Sequence, residues 1–125
     1  MSAQSLSKTV LIVDDNDVER EGMAALLRHA GYRALPAPSV NVAITYPENL
    51  GVLDLILLDM IMPDQDGWRF LDLRKKKPAL ANVPVIITTG LNVASQEWGT
   101  SLGAVAVLKK PFGSEELLRE IRKII

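Results

Sequence analysis

The residues of this 125-residue chain best suited to chemistry are Asp14, Asp15, Asp59, Thr89 and Lys110. Each lies at, or within two residues of, the end of an aliphatic run. The runs have the length and composition of strands that are covered on both faces, as in a parallel sheet. Ligands of open α/β sheets bind outside the carboxyl ends of the strands. The sequence therefore predicts one pocket that contains three acids, a hydroxyl and a lysine.

Three carboxylates in one pocket favour a bound cation. Two unit charges ~4 Å apart repel by about 4 kcal/mol at an effective dielectric of 20, so an unpaired acid cluster is costly. Oxygen ligands suit Mg²⁺, and the chain has no cysteine and only one histidine, His29, to favour zinc. Magnesium opposite an ammonium group can neutralise a phosphoryl group while a carboxylate attacks it. The residue types therefore indicate phosphoryl transfer through an acyl phosphate.

Composition and charge argue against several other classes of protein. The chain has 14 basic and 15 acidic side chains, and its net charge of -1 lacks the basic excess that binds nucleic acid or anionic membranes. No apolar run approaches the ~20 residues that cross a bilayer, and the first run is too short for a signal peptide. We therefore expect a cytoplasmic protein without a direct nucleic-acid or membrane partner.

Strand and helix patterns alternate along the chain. Strands are predicted at 9–13, 32–38, 52–59, 85–89 and 105–108. A helical pattern follows each strand: the first begins at Asp17, the second ends before Pro47, the fourth covers 92–102, and the last carries an apolar stripe from Leu117 to Ile125. Residues 78–84 read as a loop. This alternation predicts one doubly wound α/β domain, (βα)5, at residues 9–125, after a flexible tail at 1–8.

The second predicted strand is expected at an edge of the sheet. It contains Pro36 and Pro38, and proline cannot donate a hydrogen bond to a neighbouring strand.

Four motifs occur in order along the chain. They are V-D-D-N at 13–16, D-M-I-M-P-D-Q-D-G at 59–67, I-T-T-G at 87–90 and K-K-P-F at 109–112. These motifs lie at the ends of the first, third, fourth and fifth predicted strands. Together they resemble the receiver domain of two-component response regulators, and the resemblance covers nearly the whole chain. It implies a flavodoxin-like fold with a parallel five-stranded sheet of order 2-1-3-4-5.

The resemblance implies a role for each acid. Asp59 would be the phosphoacceptor, and Asp14 and Asp15 would be the acids on the Mg²⁺ side. The backbone carbonyl of Ile61 would be a further ligand of the metal, which Asp59 would also contact. The phosphodonor would be a sensor histidine kinase or a phosphotransfer protein, and the downstream effector is not identified by the sequence.

The resemblance also covers the residues that would contact the phosphoryl group. Lys110 would bind a phosphoryl oxygen, and the hydroxyl of Thr89 would follow the phosphoryl group. Thr88 should point to the other face of its strand. Pro111 would follow a cis peptide bond. Such a domain is expected to catalyse only its own phosphorylation and hydrolysis, so it would not be an enzyme acting on an external metabolite.

Val107 departs from the family pattern. Many receivers have an aromatic residue three positions before the lysine, and this residue swings inward when the threonine moves. Valine cannot make that change, so signal output would need another element. Val107 therefore supports an alternative function, a receiver-like interaction module that works independently of phosphorylation.

Two other classes of protein share parts of this pattern: phosphatases or phosphotransferases with an aspartyl nucleophile, and flavodoxin-like FMN binders. The aspartyl phosphatases and phosphotransferases carry a second acid two residues after the nucleophile, where this chain has Ile61. Flavodoxin-like FMN binders need a Ser/Thr-rich phosphate loop and aromatic residues beside the flavin, and the sequence has neither.

Overall fold

Five aliphatic segments form the parallel strands of one sheet in a computed structural model, which describes residues 7–63, 66–92 and 94–125, without the side chains of 47–50. The strands are β1 (Thr9–Val13), β2 (Arg33–Ala37), β3 (Leu55–Asp59), β4 (Val85–Thr89) and β5 (Ala106–Lys109). Their order is β2-β1-β3-β4-β5. The predicted fold class and strand order are therefore confirmed, and β2 lies at an edge as its prolines indicate.

In the described ranges, six helices connect or follow these strands. They are α1 (Asp17–His29), α2 (Val40–Leu50), α3 (Asp66–Arg74), α4 (Pro78–Ala81), α5 (Gln96–Ser101) and α6 (Ser114–Ile124). Side-chain caps fix the starts of three of them: Asn16, Ser39 and Ser95 accept hydrogen bonds from backbone N–H groups in the first turns of α1, α2 and α5. Among the described residues, no helix combines the length and apolarity needed to span a membrane.

Several predicted boundaries are wrong for local physical reasons. The helix predicted to end before Pro47 continues to Leu50, because proline only disfavours helical geometry in the preceding residue. The third strand starts at Leu55 and not at position 52, since Val52 follows the helix-ending Gly51, whose φ is positive, and is itself 80% exposed. The prediction of a strand from position 52 relied on apolar residues alone and was therefore three residues too long at its start.

The connections around β4 also differ from the prediction. The predicted loop 78–84 contains the short helix α4, where Pro78 provides the fixed φ angle suited to a first helical residue. The helix predicted for 92–102 begins at Gln96. β5 is shifted by one residue relative to 105–108.

Some predictions fall on residues outside the described ranges. These are most of the N-terminal tail (1–6), Asp64 and Gln65 of the second motif, and Val93. The flexible tail and the domain limits stay predictions.

Helices cover both faces of the sheet. On one face, Met23 and Leu27 of α1 and Leu117 and Ile121 of α6 pack in one apolar cluster with alternate strand residues. On the other face, a second cluster includes Phe70 of α3 and residues of the remaining helices. The predicted docking of the last helix is confirmed, and all five strands are held with their carboxyl ends at one edge.

Gly67 fixes the start of α3 against the segment that follows Asp59. A Cβ atom at this position would lie 2.6 Å from Met60 Cα and 2.9 Å from the Met60 carbonyl oxygen. Both atoms belong to the backbone, so a larger residue could enter only if the chain moved. Glycine at position 67 thus helps to place the loop after β3.

Candidate functional site

The fold brings the three predicted acids together. Asp59 is the last residue of β3, and Asp14 and Asp15 follow β1, which pairs with β3. One carboxylate oxygen from each acid lies within 4.8 Å of the others. Asp14 and Asp59 are buried, whereas Asp15 is exposed. Negative charge is therefore concentrated at the carboxyl edge of the sheet.

Backbone N–H groups orient two of these carboxylates. The N–H of Asn16 donates to Asp14 Oδ1 at 2.9 Å, and the N–H of Ile61 donates to Asp59 Oδ1 at 3.1 Å. Arg20 adds a buried hydrogen bond from Nη1 to the Asp14 carbonyl oxygen at 3.1 Å. The acids are thus held by the loops that follow their own strands.

Lys110 supplies the positive charge of the site. Its Nζ lies 3.1 Å from Asp14 Oδ2 and 3.7 Å from Asp59 Oδ2. The Lys110–Pro111 peptide bond is cis, as the resemblance implies. Burial alone would lower the pKa of the Lys110 ammonium, but the hydrogen bond to Glu19 and the charges of Asp14 and Asp59 raise it above its ordinary value. Lys110 is therefore cationic in this pocket.

Glu19 is a site residue that the sequence analysis did not identify. One of its carboxylate oxygens lies 3.0 Å from Lys110 Nζ. The sequence carries no signal for this contact: Asn16 and Glu19 have the spacing of a capping box, which predicts instead that the acid bonds the backbone N–H of the cap residue. Here that N–H donates to Asp14, so the Glu19 carboxylate is available to Lys110.

The pKa of Asp59 is raised from 3.8 to about 6. Burial is the main cause, and Asp14 and Asp15 add to it through charge repulsion. Lys110 and the hydrogen bond from the N–H of Ile61 act in the opposite direction. The carboxylate is therefore ionised at neutral pH but sits in an environment where its charge is incompletely compensated.

Thr88 and Thr89 face opposite sides of the sheet, as predicted. Ile86 packs in the cluster with α1 and α6 and Ile87 in the other, and this alternation continues along β4. The hydroxyl oxygen of Thr89 accepts a hydrogen bond of 3.2 Å from the N–H of Leu91. Thr88 pairs with Asp59 in the sheet, and its buried hydroxyl has no hydrogen-bond partner among the described residues.

Replacing Thr88 with valine is expected to stabilise the domain by about 1 kcal/mol, because the buried hydroxyl loses its hydrogen bonds to water on folding without gaining another. Urea unfolding of Thr88→Val and of Thr88→Ser would test this. Serine keeps the hydroxyl and removes a methyl group, so it should destabilise the domain. A valine variant less stable than the native chain would show that the hydroxyl has a partner.

The donor set fits a magnesium ion. All three acids offer oxygen atoms, which are the ligands that Mg²⁺ prefers, and these atoms are close enough to share one ion. An open cavity of about 430 Å³ adjoins them and is lined by Asp15, Asp59, Ile61 and Lys110 among others. A phosphate-sized group can therefore reach both Asp59 and Lys110 from solvent.

Val107 is a buried packing residue in this structure. Gly99 of α5 leaves the space for its side chain, since a Cβ atom at position 99 would collide with Val107 Cγ2. The side-chain amide of Gln96 bonds both backbone groups of Val107: Nε2 donates to the carbonyl oxygen at 2.9 Å, and Oε1 accepts from the N–H at 3.1 Å. α5 is therefore tied to β5 at this residue.

A doubly wound parallel sheet with an acidic, lysine-containing pocket at its carboxyl edge defines a flavodoxin-like α/β domain suited to Mg²⁺-dependent phosphoryl chemistry. The family described as response regulator receiver domain matches residues 10–122. The chain belongs to this family, and the predicted resemblance is confirmed. Receiver domains of response regulators interact with histidine kinases or phosphotransfer proteins and with downstream effectors.

Individual proteins show the same likeness. The chain is 34% identical over 110 residues to the two-component response regulator-like protein PRR37 of Oryza sativa, a match that covers 86% of this chain and 15% of that protein. The chemotaxis protein CheY4 of Vibrio cholerae has a TM-score of 0.84 and 27% identity, covering 95% of this chain and 99% of that chain. Response regulator TrrA of Thermotoga maritima, solved with Mg(2+)-BeF, has a TM-score of 0.78 and 25% identity, covering 94% and 99%.

Most of the curated relatives that match first are longer proteins. The chain spans 15% to 52% of their length. One of them is a probable cyclic di-GMP phosphodiesterase of Vibrio cholerae.

Proposed function

We propose that Asp59 accepts a phosphoryl group from the phosphohistidine of a histidine kinase or phosphotransfer protein. The observation that carries this proposal is the position of its carboxylate, which is nearly buried beside two further acids and 3.7 Å from Lys110 Nζ. A carboxylate on the protein surface is stabilised by water and needs neither a neighbouring ammonium group nor further carboxylates that could bind the same metal ion. The arrangement suits a nucleophile whose product carries additional negative charge.

The transfer step forms one bond and breaks one. A carboxylate oxygen of Asp59 attacks the phosphorus atom, an O–P bond forms, and the P–N bond of the donor breaks with its electron pair leaving on the imidazole. Lys110 neutralises a phosphoryl oxygen as the group arrives. Asp14, Asp15, Asp59 and the Ile61 carbonyl would hold Mg²⁺. When bound, this ion neutralises charge on the phosphoryl oxygens.

Thr89 is the proposed hydroxyl donor to the phosphoryl group. In the described structure its oxygen accepts from the N–H of Leu91, which leaves its hydrogen available to a phosphoryl oxygen. A turn of this side chain towards Asp59 would therefore change the start of the segment that leads to α5. The phosphoryl group itself adds about −1.5 to −2 charges at this edge of the sheet. Both effects would alter the surface of α5, β5 and α6 that partners can bind.

The phosphodonor is proposed to dock beside Lys110. An open cavity of about 540 Å³ lies between α1 and the start of α6, and its lining includes Val18, Met23, Pro111 and Phe112. Val18 is 83% exposed. An apolar donor surface placed there would bring its phosphohistidine to the adjacent Asp59 pocket. The domain would act on no external metabolite.

A second candidate function is a receiver-like module that binds partners independently of phosphorylation. Val107 favours it, because this residue is buried, packed against Gly99 and bonded by Gln96. A valine in that position offers no aromatic ring that could move between exposed and buried states.

Incubation with acetyl phosphate separates the two functions. Intact-mass measurement is expected to show one added phosphoryl group in the presence of Mg²⁺ and little or none when the divalent ion is chelated. Asp59→Asn should abolish the addition, and Asp72→Asn, which changes an exposed acid of α3, should not. A native chain that stays unmodified at every Mg²⁺ concentration would contradict the phosphoacceptor function and favour the second candidate.

A further inference from the structure

Glu19 is placed to compete for the Lys110 ammonium. Its carboxylate oxygen lies 3.0 Å from Lys110 Nζ, closer than the Asp59 oxygen at 3.7 Å. The third partner, Asp14 Oδ2, lies at 3.1 Å. Among the described residues, Lys110 is therefore shared by three acids, and the shortest of these contacts is to the acid that takes no part in the proposed metal site.

The contact of Glu19 is not explained by the start of α1. Asn16 already caps this helix by accepting from the N–H of Glu19 at 2.9 Å. The Glu19 side chain is 41% exposed. It lines both the Asp59 cavity and the neighbouring apolar cavity. A half-exposed carboxylate in this position can leave Lys110 without unfolding any element.

We propose that Glu19 is a positioning residue that restrains Lys110 until a phosphoryl group arrives. This inference rests on the proposed function of Asp59. The phosphoryl oxygens and the Glu19 carboxylate compete for the same ammonium group, so the contact between Lys110 and Glu19 weakens when Lys110 binds the phosphoryl group. Glu19 thereby lowers the affinity of the pocket for a phosphoryl group, and its removal should raise that affinity.

The test measures the rate of phosphorylation by acetyl phosphate and the dissociation constant of beryllofluoride, a phosphoryl mimic, both with Mg²⁺. Glu19→Gln is expected to raise the rate and tighten beryllofluoride binding about two- to fivefold, in line with the modest strength of partly exposed ion pairs. Glu115→Gln removes the same charge from the exposed first turn of α6 and should leave both quantities close to native values.

Glu19→Asp separates contact from simple charge repulsion. Aspartate keeps the negative charge, but its side chain is shorter and loses the close approach to Nζ. The proposal expects Glu19→Asp to behave like Glu19→Gln. If Glu19→Asp behaves like the native chain, the acid acts by repelling the donor, and the proposal is overturned.

The remaining outcomes are equally decisive. A Glu19→Gln variant that matches the native chain in rate and affinity overturns the restraint while leaving Asp59 as phosphoacceptor. A native chain that Mg²⁺ and acetyl phosphate do not modify overturns the proposed function instead, and with it the inference that rests on it.

Discussion

Replacing Lys110 with methionine is expected to lower the free energy of unfolding at pH 7 by about 3–5 kcal/mol, because removing one partner of a buried ion pair leaves the other charge uncompensated. The side chains of Asp14 and Asp59 are only 1% and 6% exposed, and Lys110 is 17% exposed. Methionine retains most of the side-chain volume, so the lost free energy of unfolding can be attributed to the missing charge. Urea unfolding without divalent ions measures it.

Lys109→Met is the matched control for this variant. Lys109 is the neighbouring residue, is exposed, and donates to the Asn92 carbonyl oxygen, so its replacement should change stability little. The double variant Asp59→Asn, Lys110→Met should recover part of the loss, since it removes an acid together with its cation. Equal unfolding free energies for the two methionine variants would refute the role of Lys110 as the main counter-charge.

Replacing Asp59 with asparagine is expected to stabilise the metal-free domain by about 3 kcal/mol at pH 7. The pKa of Asp59 rises from 3.8 to about 6 on folding, and each unit corresponds to about 1.4 kcal/mol. Because the raised pKa favours the protonated form in the folded state, stability from this group is present at low pH. It is lost as the pH rises from about 4 through about 6.

The difference between Asp59→Asn and the native chain should therefore disappear near pH 4. Unfolding midpoints in urea, measured between pH 4 and pH 7 without divalent ions, would show this convergence. Adding Mg²⁺ at pH 7 should stabilise the native chain more than the variant, since the variant lacks one carboxylate ligand. A stability difference that does not change with pH would mean that the ionisation of Asp59 is not its source.

The sequence predicts correctly those elements whose neighbouring residues all indicate the same structure. β1 and β4 have the predicted bounds because both strands are buried on each face, so that every residue in them is of a type that favours a buried strand. The convergence of Asp14, Asp59 and Lys110 followed from the rule that parallel strands end at one edge. These inferences needed no knowledge of individual side-chain contacts.

The rest depends on tertiary contacts. Glu19 and Lys110 are 91 residues apart in the chain, and Glu19 reads locally as an acid in the first turn of a helix. The Gln96 bonds to Val107 likewise depend on how α5 packs on β5. The predicted limits at Pro47 and Val52 are wrong for a local reason instead, because a residue's intrinsic preference does not by itself fix where a helix or strand begins or ends.

The two outer strands of the sheet are both poor templates for another chain. Exposed strand edges can recruit further strands and so promote aggregation. In β5, the amide of Gln96 occupies the N–H and C=O of Val107, which would otherwise be open to an incoming strand. In β2, Pro36 has no N–H to offer. Loss of the Gln96 amide would uncover this backbone site and thereby favour self-association of the protein through the β5 edge.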